Sequence, residues 1–382
     1  MSTVPTLTDG VVTLRAHRPD DVEAAMEQSL DPESQRWTTV PVPYERADAE
    51  FFVTELMPRG WAENTEWGFV LEAEGRYGGT ISLRNAGDGR AELGYGAHPW
   101  LRGTGYVERG LRLLLAWGFD EMDLRTVIWW AHVGNWASRR VAWKFGFSFE
   151  GTVRDWQPQR GELRTAWVGT LLRDDPREPR TTWLSNPVLE GDGVRLRPFT
   201  EADLPRLVEA LGDPATQHAL PFLPRDPGAA DGRRYLEQVQ ERLATNHTIT
   251  WAFCTPDDDR LMGAVGLYRF TGEPEIGYLA HPDARGRGLT SRAAAVAVRH
   301  AFEDLGLPRL AGYAVAPNAE SLAVLEKLGM QRVGVLRRAA HDGDGNAVDL
   351  VGYDLLASEW ADQNSTPMPS TDSAAPTRAG ER

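Results

Sequence analysis

The sequence predicts an α+β protein built as two tandem domains of one fold, each a central mixed sheet flanked by helices. Three observations predict it. The chain has 382 residues, more than a single hydrophobic core commonly organises. Its second half repeats its first: Glu92 aligns with Glu275, Arg102 with Arg285, Asn135 with Asn318, Gly146 with Gly329 and Arg154 with Arg337, each pair 183 positions apart. Within each copy, short strand-like runs are interleaved with longer runs of helical period.

The offset slips by one only near the start, where VTLR at 12–15 matches VRLR at 194–197. An offset this long marks duplication of a whole domain, since solenoid repeats have periods of about 20–50 residues. The stretch RDDPREPRTTWLSNP (173–187) is rich in proline and charge, which places the domains at 1–180 and 181–360. Residues 361–382 carry no apolar face and are expected to form a disordered tail.

Each copy reads through the same elements. A first strand (VVTLRAH; VRLRPF) leads into an acidic helix start (PDDVEAAM; TEADLPRLVEAL), where carboxylates suit the positive helix end. A polar, proline-containing segment with further helix follows. Three strands come next, WGFVLEA, GGTISLR and ELGYGA in the first copy and WAFCT, MGAVGLYRF and EIGYLA in the second. A glycine-rich turn then opens a long helix, VERGLRLLLAWGFDEM or SRAAAVAVRHAFEDLG. A strand (TVIWWAHV; RLAGYAVA) precedes a helix that ends at Lys-x-Gly (ASRRVAWKFGF; AESLAVLEKLGM). Closing strands include RTAWVGTLL and VDLVGYDLL.

Composition narrows the function classes. Apolar residues make up 41% and charged residues 25%, ordinary for a soluble globular protein. No apolar run reaches about 18 residues, so no membrane span is expected. The start, MSTVPTLTDGVV, has neither a basic nor an apolar signal region. The one cysteine, Cys254, cannot form an internal disulfide, and a cytoplasmic location is expected. The net charge of −14, without a dense Lys/Arg run, disfavours nucleic acid as a partner and suits a cationic amine. No metal site is expected.

The repeated phrases ELGYGAHPWLRGTGYV and EIGYLAHPDARGRGLT carry the first chemical signal. A strand, a His-Pro turn and Arg-Gly-x-Gly at a helix start form a recipe for anion binding. Glycines let the backbone approach a ligand, and the helix end offers unpaired N–H groups. Arg102 and Arg285, with Arg287 in the second copy, are candidates for side-chain contacts to the anion. An ordinary glycine-rich turn has the same spacing. Thirty residues on, Asn135 and Asn318 stand where a helix begins, as N-caps commonly do. Ser138 and Ser321 share the inward stripe of that helix with apolar residues. They either bond the preceding turn or point a hydroxyl into a site.

Taken together, Arg-Gly-x-Gly followed by Asn-x-x-Ser and Lys-x-Gly, twice over, resembles the GNAT acyltransferase superfamily, in its branch of ribosomal-protein N-terminal acetyltransferases and their relatives. The resemblance covers residues 8–172 and 188–360. It implies two GNAT-fold domains using acetyl-CoA and no metal. The backbone of Arg102, Gly103, Thr104, Gly105, Tyr106 and Val107, and of Arg285, Gly286, Arg287, Gly288, Leu289 and Thr290, would hold the pyrophosphate of coenzyme A. Asn135 and Asn318 would lie beside its pantetheine and sulfur. Glu92 and Glu275 would act as bases on an amine, although either is equally readable as a surface strand glutamate. The tyrosine acid common in the family, four residues after the serine, is replaced by Ala142 or Leu325, which leaves Ser138 and Ser321 as candidates.

Val107 stands where the family shows a small residue, so the second copy, with Thr290, is expected to bind the coenzyme more surely. Trp37, Trp61 and Trp67 are candidates to line an acceptor groove. The acceptor would be an amine-bearing small molecule or a peptide N-terminus, and the chain a monomer with pseudo-dimeric domains. Three alternatives stay open: one catalytic and one structural domain, a regulatory acyl-CoA binder without turnover, and a longer acyl donor.

Overall fold

The structure is a computed structural model that describes residues 4–364 apart from Thr271. The chain divides into two compact units, Met1–Thr182 and Trp183–Arg382. Each holds one eight-stranded sheet.

The first sheet is formed by β1 (Leu7–Thr8), β2 (Val12–Arg15), β3 (Glu66–Ala73), β4 (Arg76–Gly87), β5 (Arg90–Ala97), β6 (Thr126–His132), β7 (Ser148–Gln159) and β8 (Glu162–Leu172), in the order β1-β2-β3-β4-β5-β6-β8-β7. Its helices are α1 (Val22–Leu30), α2 (Pro32–Trp37), α3 (Arg46–Phe51), α4 (Met57–Ala62), α5 (Tyr106–Asp120) and α6 (Trp136–Lys144). One sheet face packs on α5 and α6 around Phe69, Leu83, Leu114, Trp129 and Trp167. The segment from α1 to α4 covers part of the other face through Val22, Ala49 and Val53. Strand β3 is therefore buried on both sides, which is why its sequence is apolar at almost every position.

The second sheet repeats this plan with β9 (Leu189–Gly191), β10 (Val194–Arg197), β11 (Thr248–Thr255), β12 (Asp258–Tyr268), β13 (Glu275–Ala280), β14 (Arg309–Val315), β15 (Gln331–His341) and β16 (Ala347–Leu356). Its helices are α7 (Leu204–Gly212), α8 (Pro214–Ala219), α9 (Ala229–Ala244), α10 (Leu289–Glu303), α11 (Ala319–Lys327) and α12 (Ala357–Asn364). Helix α12 corrects the tail expected from residue 361, because its apolar Trp360 packs on the second core and draws the chain on to Asn364. The remainder of that tail lies outside the described residues.

The duplicated Leu-Arg of the first strands also has a duplicated role. Arg15 makes a two-pronged ion pair with buried Asp21, both bonds 2.8 Å, and Arg197 does the same with Asp203. Each fork ties the start of the first helix to the sheet.

Among the described residues, only one neighbouring pair in each sheet runs parallel, and it separates. β5 and β6 pair from Arg90–Thr126 to Leu93–Trp129. Beyond that point β5 stays on β4 and β6 stays on β8. β13 and β14 pair only at Glu275–Ala311 and Ile276–Gly312. The gap opens toward the C-terminal ends of the parallel strands, where open sheets commonly receive ligands.

Candidate functional site

Both glycine turns lie at that open end. Gly103 and Gly105 have φ of +75° and +84°, and Gly286 and Gly288 have +67° and +69°. Gly105 and Gly288 are the left-handed N-caps of α5 and α10, each 15 residues long. A Cβ placed on any of the four glycines would meet nothing within 4 Å. The turn is therefore left bare toward the outside rather than squeezed by its own protein. At Thr104 the hydroxyl donates to the Leu101 carbonyl at 2.7 Å and accepts from the Tyr106 N–H at 3.3 Å, so it draws on one helix-start amide. Arg287, its counterpart, is exposed and reaches the Asp283 carbonyl at 3.3 Å.

The side chains of Arg102 and Arg285 each engage one guanidinium nitrogen within their own unit. Arg102 bonds Asp31 at 2.5 Å and Ser34 at 3.0 Å, and Arg285 bonds Asp213 and, at 3.1 Å, Thr216. Asp31 and Asp213 cap the short helices α2 and α8 through the Ser34 and Thr216 N–H groups. Burial pushes both carboxyls up, but the guanidinium and the capping N–H outweigh it and hold them below the usual range. Each arginine is thus a strut from the turn to a capped helix. Val107 is half-buried and packs against the first core, which directs its bulk inward.

Asn135 and Asn318 cap α6 and α11, accepting from Ser138 N at 3.1 Å and Ser321 N at 3.0 Å. The same turn brings each serine to a tyrosine that sequence reasoning left unused. Tyr95 OH lies 2.7 Å from Ser138 Oγ, and Tyr278 OH lies 3.0 Å from Ser321 Oγ. Trp129 Nε1 donates to Ser138 Oγ at 3.0 Å; its counterpart in the second unit is Gly312. Burial pushes both Tyr95 and Tyr278 up to about 12, partly offset by the serine contacts. The available signal was strand alternation: in Glu-x-Gly-Tyr the tyrosine faces the helices and the glutamate the opposite face.

Glu92 and Glu275 stand where the parallel strands still pair, partly exposed. Glu92 accepts from Arg84 at 3.0 Å, and Arg84 also lies 3.5 Å from Glu66. Glu275 has the looser partner Arg269 at 3.5 Å. Burial raises Glu275 above the ordinary carboxylate value, with Arg269 opposing. Ser138 and Glu92 therefore sit on opposite faces of the same split.

Two of the expected groove tryptophans do not line one. Trp61 and Trp67 are buried with Phe69 and Trp117 in the first core. Trp37 lies beside Gly134. On the Glu92 face the aromatic wall is instead Trp130, stacked on Trp156 at 5.8 Å.

The fold and site define an α+β protein with a bare strand-to-helix glycine turn in each of its two units. The family follows from comparison with known proteins. The model of the acetyltransferase (GNAT) domain matches residues 12–148 and again 194–331. The chain belongs to the GNAT acetyltransferase family and holds two copies of its domain. It is 30% identical over 106 residues to YnaD, an uncharacterized N-acetyltransferase of Bacillus subtilis, covering 27% of this chain and 62% of YnaD. It is 32% identical over 110 residues to YjcK, a probable N-acetyltransferase of the same organism, covering 28% of this chain and 61% of YjcK. The chain thus spans about three fifths of the length of these relatives. A solved acetyltransferase of the GNAT family from Bacillus anthracis aligns at 21% identity over 45% of this chain and 100% of its own, with a TM-score of 0.41. Among the described residues there is no group of side chains suited to a metal ion and no helix long and apolar enough to cross a membrane.

Proposed function

We propose that the chain is an acetyl-CoA-dependent N-acetyltransferase acting on an amine, either a peptide N-terminus or a small aminated metabolite. The observation that carries this reading is the bare glycine turn at the open end of the parted parallel strands, present in both units. Its geometry fits a coenzyme with a pyrophosphate: four glycines at positive φ whose added Cβ atoms would occupy space the protein leaves empty. Family membership and the N-acetyltransferase relatives support the same chemistry.

Acetyl-CoA supplies an activated acetyl thioester. The amides of 102–107 and 285–290 hold its phosphates, and Asn135 and Asn318 border the cleft. Glu92 or Glu275 takes the proton that otherwise blocks the amine lone pair. Backbone N–H groups of the parted stretch of β5 or β13 stabilise the carbonyl oxygen. Ser138 or Ser321 serves the leaving sulfur. The acidic net charge favours a cationic acceptor. A reducing compartment such as the cytoplasm suits the single buried Cys254.

The test is the number of acetyl-CoA molecules bound per chain by native mass spectrometry, for wild type, Gly105→Glu and Gly288→Glu. Two equivalents, with each variant losing one, are expected. No binding to the wild type would overturn the reading.

A further inference from the structure

The two serines occupy different hydrogen-bond frames, and the difference decides where each hydroxyl proton goes. An indole N–H only donates, so Trp129 fills one lone pair of Ser138 Oγ. Tyr95 OH has two acceptors in reach, Ser138 Oγ at 2.7 Å and the Ser138 carbonyl at 3.4 Å. The shorter contact takes its proton and fills the second lone pair. What Ser138 has left to offer is its own proton. In the second unit the order reverses. Tyr278 OH donates to the Ser321 carbonyl at 2.9 Å, which can only accept. The tyrosine oxygen, 3.0 Å from Ser321 Oγ, is then open to accept the serine proton.

We propose that Trp129 and Tyr95 are positioning residues that keep the Ser138 proton free for the leaving sulfur, while Ser321 is turned inward, so that the first unit carries the faster acetyl transfer. The proposal rests on the acetyl-transfer reading above. In the step it serves, the amine nitrogen bonds to the acetyl carbon and the carbon–sulfur bond breaks with its electron pair on sulfur. Ser138 hydrogen-bonds that sulfur. The protons shed by nitrogen go to Glu92 and, through solvent, to the thiolate. Tyr95 remains protonated throughout, because its burial makes it a poor proton source and a steady donor. Two donors on one oxygen also polarise its O–H. The frame comes from the strand itself, since Leu93 pairs with Trp129 and Tyr95 lies two residues beyond on the same face.

The test uses the full chain in a Glu275→Gln background, with acetyl-CoA and three amines: spermidine, tyramine and an Ala-initiated peptide. Trp129→Phe and Tyr95→Phe are each expected to lower kcat about tenfold, with KM for acetyl-CoA changed less than about twofold. Adding Trp129→Phe to Ser138→Ala is expected to cost nothing further, because the indole acts through the serine. A purely structural role would give losses that multiply. Since Trp129 is buried, the ligand-free protein supplies a second readout. In 1H–15N spectra, Ser138→Ala should shift the one indole N–H resonance that Trp129→Phe removes. An unshifted resonance, or Trp129→Phe turning over as fast as its parent, overturns the proposal. Abolition of all transfer by Glu275→Gln alone does so as well. Wild type that acetylates none of the amines defeats the acetyl-transfer reading itself, whereas the indole shift alone judges the hydrogen-bond frame.

Discussion

The two units set the same glycine turn and the same Glu-x-Gly-Tyr strand beside unlike sheet faces. Three rows of paired residues make the comparison direct. In the first unit Glu66, Arg84 and Glu92 form one row, Gly68, Ser82 and Gly94 the next, and Val70, Thr80 and Gly96 the third. The second unit has Thr248, Tyr268 and Glu275, then Thr250, Gly266 and Gly277, then Ala252, Ala264 and Leu279. In the glutamate's own row the Arg84 cation gives way to the Tyr268 ring, and Arg269 approaches Glu275 from outside that row at 3.5 Å. A Cβ added at Gly266 or Gly277 would come within 2.8 or 3.0 Å of the Tyr268 side chain, so the ring lies over both glycines. The left-handed glycines of the turn are the same in both units, while the sheet face before it differs.

Removing the glutamates breaks the comparison most severely. Glu92→Gln and Glu275→Gln are each expected to cut the kcat of their own unit about a hundredfold or more, the usual loss for a general base. The pair of single variants, assayed with one acceptor, reads out which unit turns it over. Equal residual activity in the double variant and wild type would remove both from the mechanism.

Exchanging the neighbours sharpens it. A base works only when ionised, so the rate falls as pH drops through its pKa. Tyr268→Arg puts a second cation beside Glu275, whose value burial holds above the ordinary range against Arg269. The acid limb of the second unit should move down by about one pH unit. A profile that does not move would show that Glu275 is not the titrating base.

Local signals in the sequence carried far, and contacts across the fold did not. The glycine turns and the asparagine caps depend on residues a few positions apart, so their chemistry is visible in a short window. Tyr95 and Ser138 are 43 residues apart, and their meeting depends on where the parallel strands part. Arg102 and Asp31 are 71 apart. An arginine in a glycine turn reads from sequence as an anion contact, and its partner Asp31 at the start of α2 is visible only in the fold. Trp61 and Trp67 were misplaced for a similar reason. Their surroundings are polar in sequence, yet Trp61 Nε1 finds the Gly68 carbonyl and Trp67 Nε1 finds Asn64, which lets both rings enter the core.

The arginine struts give a smaller effect. Asp213→Ala removes the α8 cap and the anchor of Arg285, and should cost about 1–2 kcal/mol of stability by chemical denaturation. It should also weaken acetyl-CoA binding to the second unit only. Asp31→Ala is the matched change in the first unit. Loss of stability with unaltered affinity would separate the strut from the cradle.

The smallest effect at neutral pH concerns His17, whose counterpart is Phe199. His17 Nε2 lies 3.0 Å from Thr80 Oγ1, and burial holds the imidazole down at about 4. Folding therefore favours the neutral ring. The stability this contributes is fully present above the unfolded value of about 6.5 and is lost as pH falls toward 4. His17→Phe copies the second unit and removes the titration. Thr80 keeps a partner, because Tyr77 OH lies 3.2 Å from the same oxygen. The Tm of the variant should match wild type at pH 8 and exceed it increasingly below pH 6.5, by the equivalent of about 3 kcal/mol near pH 4. A constant difference across that range would mean that the ring acts by packing on Phe52 alone, as a phenylalanine would.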